Sequence, residues 1–307
     1  MRIVSLLPSA TEWLFAMGVG DRVVGVTHEC DHPPQVAGLP AVTRDLLPRG
    51  LSSAEIDADV SAGIRDEHTI YDLDVDALRA LAPDVVVAQQ LCDVCAVPVD
   101  AIETAVCTLG SRARVVAADP HTLDDLLPSA VELGRAVAAE EGAGALVEAL
   151  QRRLDAVGRA VAGRPRPTVA MVEGPDPPWV PGHWAPDMID RAGGASLLGR
   201  PGEPSRRATF DELAAVDADV VIAAFCGFDL AETIARIDEV ADHPGWRSLI
   251  GGARLLAVDG SAYVSRPGPR LVDGVEVLAR ALHGVGGTPP AGAVAEWREG
   301  RWDALAS

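Results

Sequence analysis

Apolar and polar positions along this chain alternate between strand-like and helix-like patterns on either side of one long helical stretch. From Glu140 to Gly163 the apolar residues Leu146, Val147, Leu150, Leu154, Val157 and Val161 recur at spacings of three and four, which is one face of an α-helix. Glu140 and Glu141 open the stretch, and Arg152, Arg153 and Arg159 fall in its later half, the order that the helix dipole favours. About 23 residues at 1.5 Å each give a rod of roughly 34 Å. Strand–helix signals come before it and begin again after it. The pattern therefore predicts a rigid strut over 139–164, joining α/β lobes over 1–138 and 165–284, with a tail at 285–307.

In the first lobe, residues 2–7 read as a buried strand stopped by Pro8, and Ser9-Ala-Thr-Glu12 fits a capping box for a helix running to Gly18. A strand over 22–26 opens into a polar loop carrying His28, Cys30 and His32. Residues 43–70 are loop-rich and acidic around a helix at 53–64. A short helix over 74–81 leads to a Val-rich strand at 84–89, which delivers Gln89, Gln90, Cys92 and Cys95 at its carboxyl end. A strand at 114–118 and a helix at 122–138 complete the lobe. The second lobe has strands at 168–173, 219–225 and 254–258 and helices at 186–192, 211–215 and 269–283. Its loops carry Trp179, His183 and Trp184, then Cys226 and Phe228, then Tyr263 and Arg266. The tail is rich in Gly and Pro and shows no role.

Composition narrows the class. A net charge of −19 argues against a nucleic-acid backbone as partner and leaves a small ligand or a basic protein. All the basic side chains are Arg, which reads as a bias of the source. The first 15 residues are interrupted by Pro8 and Glu12 and do not form an export signal, and no stretch of about 18 apolar residues exists to span a membrane. Five cysteines, an odd number at loop positions, suit a reducing compartment, so the expected location is cytoplasmic, or exported if a signal has been removed. No G-x-S-x-G, Walker A or H-E-x-x-H motif is present, and the chain is not expected to be an enzyme.

The ordered segments PSATEWLFAMGVGDRVVGVT, ALRALAPDVVVAQ, the strut, PGHWAPDMIDRAGG, FDELAAVDADVVIA and RPGPRLVDGVEVLARAL give the chain a family resemblance over residues 2–283. It resembles the cobalamin- and iron-siderophore-binding proteins of ABC importers, the class with a helical backbone. The resemblance implies two Rossmann-like lobes bridged by one helix that resists hinge motion, with ligand in the cleft between them. It also implies that Asp76 and Asp211, one per lobe and equally spaced from Asp84 and Asp219, offer carboxylates to arginines of a permease. The sequence departs from the family in lacking an export signal and lipid-anchoring cysteine, in extra residues around 43–70, and in the Cys and His of its cleft loops. It looks closest to the unexported branch labelled cobalamin-binding.

In open α/β sheets ligands bind beyond the carboxyl ends of the strands, where these loops lie. The expected ligand-binding residues are His28, Cys30, Gln90, Cys92, Trp179, His183, Trp184, Cys226, Phe228, Tyr263 and Arg266. Aromatic faces suit the apolar flank of a corrin or porphyrin, and Arg266 suits peripheral carboxylates or amide oxygens. Arg270 joins Arg266 at a helix N-terminus, either as an anion site or as a surface charge pair. Cys92-x-x-Cys95, with Cys30 and Cys226, could ligate the metal of a bound tetrapyrrole, zinc or an iron–sulfur cluster. The same thiols could equally be packed loop cysteines or a redox pair. The leading expectation is a binding protein for cobalamin or a related metal tetrapyrrole, acting as carrier or sensor. The alternatives are a cytosolic Cys/His metalloprotein or redox enzyme, and an exported iron-siderophore receptor.

Overall fold

The computed structural model describes residues 1–48, 50–65, 71–89, 102, 113–287 and 289–305, with backbone alone at 63–65. It divides into two compact units, Met1–Pro120 with Asp125–Ala149 and His121–Asp124 with Leu150–Ser307. Both are α/β, as the sequence pattern predicts.

The first unit holds strands β1 (Ile3–Ser5), β2 (Val23–Val26), β3 (Thr43–Asp45), β4 (Tyr71–Leu73), β5 (Val85–Ala88) and β6 (Arg114–Ala117). Its helices are α1 (Pro8–Ala16), α2 (Ser53–Arg65), α3 (Val75–Leu81) and α4 (Leu123–Ala136). The main sheet runs β2-β1-β5-β6, all parallel. Every side chain of β5 is buried, which is why it reads as an unbroken apolar run. The core gathers Val4, Leu6, Val42, Leu78, Val86 and Ile102. Two features differ from the sequence reading. Ser9 and Glu12 form no capping box: α1 begins at Pro8 with Leu7 at the N-cap, and both polar residues are buried inside the helix. A proline at the first helical position loses no hydrogen bond, so it starts the helix one residue before Ser9 could cap it. Within 43–70, read as loop-rich, Thr43–Asp45 is a strand paired antiparallel with β4.

The predicted long helix is α5 (Glu140–Val161), with Glu140 and Glu141 in its first turn and Arg159 in its last. Its residues up to Ala149 belong to the first unit and those from Leu150 to the second. Leu150, Leu154 and Val157 are buried, and Leu146, Val147 and Val161 are half-buried, so the apolar stripe is the packed face. Gly142 lets its first turn approach α1, since a Cβ there would stand 2.1 Å from the Met17 carbonyl oxygen.

The second unit continues with β7 (Thr168–Val172), β8 (Gly174–Pro175), β9 (Pro178–Val180), α6 (Ala185–Arg191), β10 (Ala195–Ser196), β11 (Arg206–Arg207) and α7 (Phe210–Ala214). Then come β12 (Val220–Ala223), α8 (Leu230–Val240), α9 (Pro244–Ile250), β13 (Arg254–Val258), α10 (Gly260–Tyr263), α11 (Arg270–His283), β14 (Val294–Arg298) and β15 (Arg301–Ala304). The main sheet runs β10-β7-β12-β13-β14-β15, parallel up to β13 and antiparallel beyond it. Arg153 on α5 is bonded to Glu276 (Nε to Oε1, 2.9 Å) and to Asp273, both on α11. Residues 285–307, set apart from sequence as a tail, contribute β14 and β15. The buried Glu296 of β14 accepts from Arg254 at 2.8 Å and from Arg298 at 2.5 Å. Burial pulls its pKa upward, but the two guanidiniums outweigh it and hold the carboxyl below its ordinary range. Helices α8 and α9 went unread from sequence, as did the small antiparallel sheet β11-β9-β8, two of whose strands lie between β7 and the His183 loop.

Candidate functional site

Parallel strands send all their carboxyl-end loops to one end of a sheet. In the first unit the β2 loop is the best-organised of these. The His28 N–H donates to Thr43 Oγ1 at 3.0 Å, and His28 Nδ1 lies 2.8 Å from the same oxygen. Thr27 and Thr43, both buried, are joined hydroxyl to hydroxyl at 2.8 Å. The Tyr71 ring stands 5.3 Å from the His28 ring at 54°, and its hydroxyl donates to Glu29 Oε1 at 2.8 Å. Residues of the β3–β4 pair thus hold this loop on two sides. With Nδ1 engaged and the ring half-buried, Nε2 has no hydrogen-bond partner among the described residues, an arrangement by which proteins orient a metal-ligating imidazole.

Cys30 is arranged differently. Thr11 donates its hydroxyl proton to the Leu7 carbonyl at 3.1 Å, so at 3.1 Å from Cys30 Sγ the Thr11 oxygen receives the thiol proton. Half-buried and in contact with Thr11, the thiol packs against α1. His32 is exposed, and Ser9 lies within α1. Gln89 is half-buried at the end of β5; Gln90, Cys92 and Cys95 lie outside the described residues.

In the second unit, Trp179 on β9 is half-buried with the Arg207 guanidinium 5.5 Å from its ring centroid. His183 has φ +49° and is clamped by backbone on both sides, donating to the Glu203 carbonyl at 2.7 Å and accepting from the Gly202 N–H at 3.0 Å. Its Nδ1 is buried and has no hydrogen-bond partner among the described residues. Burial, and then the neighbouring His121, hold its pKa below the ordinary value, so the ring is neutral near pH 7. Trp184 was expected to offer an aromatic face, but it is 7% exposed and its Nε1 donates to the Val264 carbonyl at 2.7 Å, which makes it core. Cys226 is exposed, while Phe228 is half-buried under Arg236, 4.8 Å from its ring centroid. Tyr263 and Arg266 are half-buried beside Asp259, the N-cap of α10. Burial raises the Asp259 pKa against the lowering pull of the Ala262 N–H, Arg270 and Arg266.

Sequence reasoning missed Glu173. It follows β7 directly and is tied to two of the expected ligand loops: its N–H donates to the Trp179 carbonyl at 2.8 Å, and its carbonyl accepts from the Cys226 N–H at 2.9 Å. Its Oε2 accepts from Ser205 Oγ at 2.7 Å, and Ser205 Oγ accepts from the Gly182 N–H at 3.0 Å. The residue keeps some exposed surface, yet burial of the carboxyl pushes its pKa up to about 7, against the lowering effect of Ser205. The only available signal was an acid where a buried strand meets a loop.

Among the described residues, no three His, Cys, Asp or Glu side chains come together to hold a metal ion. Of the expected thiols, Cys30 belongs to the first unit and Cys226 to the second, while Cys92 and Cys95 lie outside the described residues. A cavity of about 320 Å³ in the second unit is lined by Pro181, Leu197, Gly199, Arg200, Glu203 and Arg206, among others. It adjoins the His183 loop but includes none of the expected ligand residues, so the strand-end loops rather than this cavity carry the candidate chemistry. Among the described residues no helix is long and apolar enough to cross a membrane.

Comparison with known proteins agrees with this architecture. A family model described as periplasmic binding protein matches residues 3–250. A curated relative is 23% identical over 302 residues, 92% of this chain and 80% of its own length; it is the uncharacterized ABC transporter substrate-binding lipoprotein YvrC of Bacillus subtilis. Among solved structures, a periplasmic heme binding protein from Pseudomonas aeruginosa superposes with a TM-score of 0.72 at 22% identity, covering 96% of this chain and 97% of that one. The periplasmic vitamin B12 binding protein BtuF of Vibrio cholerae gives 0.67 at 19%, covering 92% and 96%. At these identities the two structures speak for the fold.

Proposed function

The chain belongs to the periplasmic binding protein family, and from that premise we propose that it captures a metal-bearing tetrapyrrole, cobalamin-like, on behalf of an ABC importer. The observation that carries the ligand class is His28, whose ring is fixed through Nδ1 by Thr43 and flanked by Tyr71, with Nε2 left to meet a metal. The strand-end aromatics Trp179, Phe228 and Tyr263 supply flat apolar surface for a macrocycle. The names of the fold neighbours, heme binding and vitamin B12 binding, support the same class. The match to a binding-protein family model favours binding over the alternative of a redox enzyme. The relative's description as a lipoprotein supports an exported setting over the cytoplasmic one that the cysteines suggest.

Docking to a permease is part of this proposal. Asp76 and Asp211 are each the second residue of a short helix, after the N-caps Asp74 and Thr209, and both are exposed. The test of ligand class is an absorption titration with cobalamin and with haem. A shifted band with either, abolished in His28→Ala, supports the reading; unchanged spectra with every tetrapyrrole tried refute it.

A further inference from the structure

We infer that the hydroxyls of Thr27 and Thr43 hold the ligand-free His28 ring in the tautomer that carries its proton on Nε2, so that a ligand's metal must shift that proton to Nδ1 before His28 can ligate it. This rests on the tetrapyrrole reading and deepens it, because it makes the two threonines the residues that set how strongly His28 takes a metal.

Three atoms of the first unit form a hydrogen-bonded chain: Thr27 Oγ1, Thr43 Oγ1 and His28 Nδ1. Its two links are each 2.8 Å long. Both threonines are buried, and both are held by their backbones. The Thr27 N–H donates to the Ser5 carbonyl at 3.0 Å, and Thr43 is paired with Leu73 across β3 and β4. Thr43 Oγ1 also accepts the His28 backbone N–H at 3.0 Å, and Thr27 Oγ1 accepts the Glu29 N–H at 3.5 Å. A hydroxyl has one proton to give and two lone pairs to receive with. With one lone pair of Thr43 taken by the backbone, its oxygen must accept from one neighbour in the chain and donate to the other.

Each link carries one proton, and the two hydroxyls already supply two. When Thr27 donates to Thr43 and Thr43 donates to Nδ1, both hydroxyl protons have acceptors, and the neutral ring holds its own proton on Nε2. When Nδ1 carries the proton instead, it donates to Thr43, and Thr43 turns its hydroxyl to Thr27. The Thr27 proton then has no acceptor among the described residues. A buried donor left unpaired is costly, so the first arrangement is the resting one.

A metal binds the lone pair of an imidazole nitrogen, and at rest the lone pair of Nε2 is covered by its proton. Ligation therefore needs the Nε2 proton to leave to water, one from water to arrive at Nδ1, and the Thr43 hydroxyl to rotate towards Thr27. The net charge of the ring does not change. Ligating histidines commonly give their other N–H to a carboxylate or a backbone carbonyl, acceptors that bring no proton of their own. Thr43 does bring one. His28 thus meets a ligand first as an N–H donor, and Thr43 is a positioning residue that acts through it.

The test reads the tautomer without any ligand. Nitrogen NMR of the ligand-free full chain distinguishes a protonated from an unprotonated ring nitrogen, and the His28 signals are identified by their loss in His28→Gln. Wild type should be protonated at Nε2, and Thr43→Ser, which keeps the hydroxyl, should match it. In Thr43→Asp the side chain brings no proton and accepts from Thr27, the backbone N–H and Nδ1 alike. Its ring should be protonated at Nδ1, and absorption titration with haem should give an affinity about tenfold above wild type. A wild-type ring protonated at Nδ1 overturns the inference with no recourse to a variant, and it leaves the tetrapyrrole reading standing. An inverted tautomer in Thr43→Asp with unchanged haem affinity overturns the link between the hydroxyls and ligation. If neither haem nor cobalamin binds wild type, the tetrapyrrole reading and that link fail together, while the nitrogen spectrum still decides the tautomer.

Discussion

Replacing Glu173 by Gln should make the protein more stable at neutral and alkaline pH and leave it unchanged in acid. The folded-state pKa is raised from 4.5 to about 7 by burial, so the folded carboxyl holds its proton where the unfolded one has lost it. Between those two values the native state binds more protons than the unfolded state, and stability therefore falls as pH rises through the window. Above pH 7 both states are ionised and the penalty is complete. A shift of roughly 2.5 pH units corresponds to about 3 kcal/mol, which the residue's partial access to water trims towards about 2. Glutamine keeps an acceptor for Ser205 Oγ and removes the charge, so it should recover this amount at pH 8 and under about 1 kcal/mol at pH 5. Urea unfolding followed by tryptophan fluorescence suits the test, because of the six tryptophans only Trp13 lies outside the second unit. The midpoint should move with little change in slope. An offset between wild type and Glu173→Gln that is the same at pH 5 and pH 8 would show that the carboxyl is not held near pH 7, and would sink the reasoning.

Two other perturbations follow from the geometry. Gly142→Ala places a methyl against the Met17 carbonyl oxygen, 2.1 Å from an ideal Cβ, and α5 or α1 must shift; the expected loss is about 1–3 kcal/mol in thermal unfolding, and a change within about 0.5 kcal/mol would mean the contact is not tight. Asp76→Arg combined with Asp211→Arg should leave tetrapyrrole affinity in solution intact and lower importer-coupled uptake about tenfold, the order of one interfacial charge pair; undiminished uptake would rule out docking through these carboxylates.

How much of this was legible in sequence depends on whether the signal was local. The strut was, because its stripe recurs over about four turns and its end charges agree with the dipole. The buried strands β5, β12 and β13 were also legible, as short apolar runs, the first two rich in Val. Strands β3, β8, β9 and β11 were not: each has two or three residues, too few to show a period, and β3 and β11 find their partners far along the chain, as Arg207 does with Trp179. The site shows the same division. His28 could be nominated from its loop, but its hold on Thr43 depends on a strand that no periodicity reveals. Trp184 looked like a presented aromatic because its neighbours are Pro and Gly, and only the Val264 carbonyl shows it facing inward. Glu173 was passed over because burial, which gives it its chemistry, comes from residues 179–182 and 205 folding back over it.

The two units repeat one plan, and the repetition separates scaffold from function. In each, an aspartate precedes the strand that pairs with the first: Asp84 Oδ2 accepts the Arg2 N–H at 2.7 Å, and Asp219 Oδ2 accepts the Thr168 N–H at 2.8 Å. The carbonyls of the same two residues accept from Arg114 at 2.9 Å and Arg254 at 3.0 Å, which start the next strands. Such a lock fixes strand register at the amino ends of both sheets, so what is shared between the units is stability. What is not shared lies at the carboxyl ends. There the first unit adds the β3–β4 pair, whose Thr43 holds His28, and the second adds the β8–β9–β11 sheet, to which Glu173 is hydrogen-bonded through Trp179. Insertions that a scaffold does not need, each ending on one constrained titratable side chain, are where ligand chemistry should be sought. Substitutions at Asp84 or Asp219 should therefore lower stability without altering ligand preference, and His28→Ala should abolish the spectral response to a tetrapyrrole with little change in the unfolding midpoint.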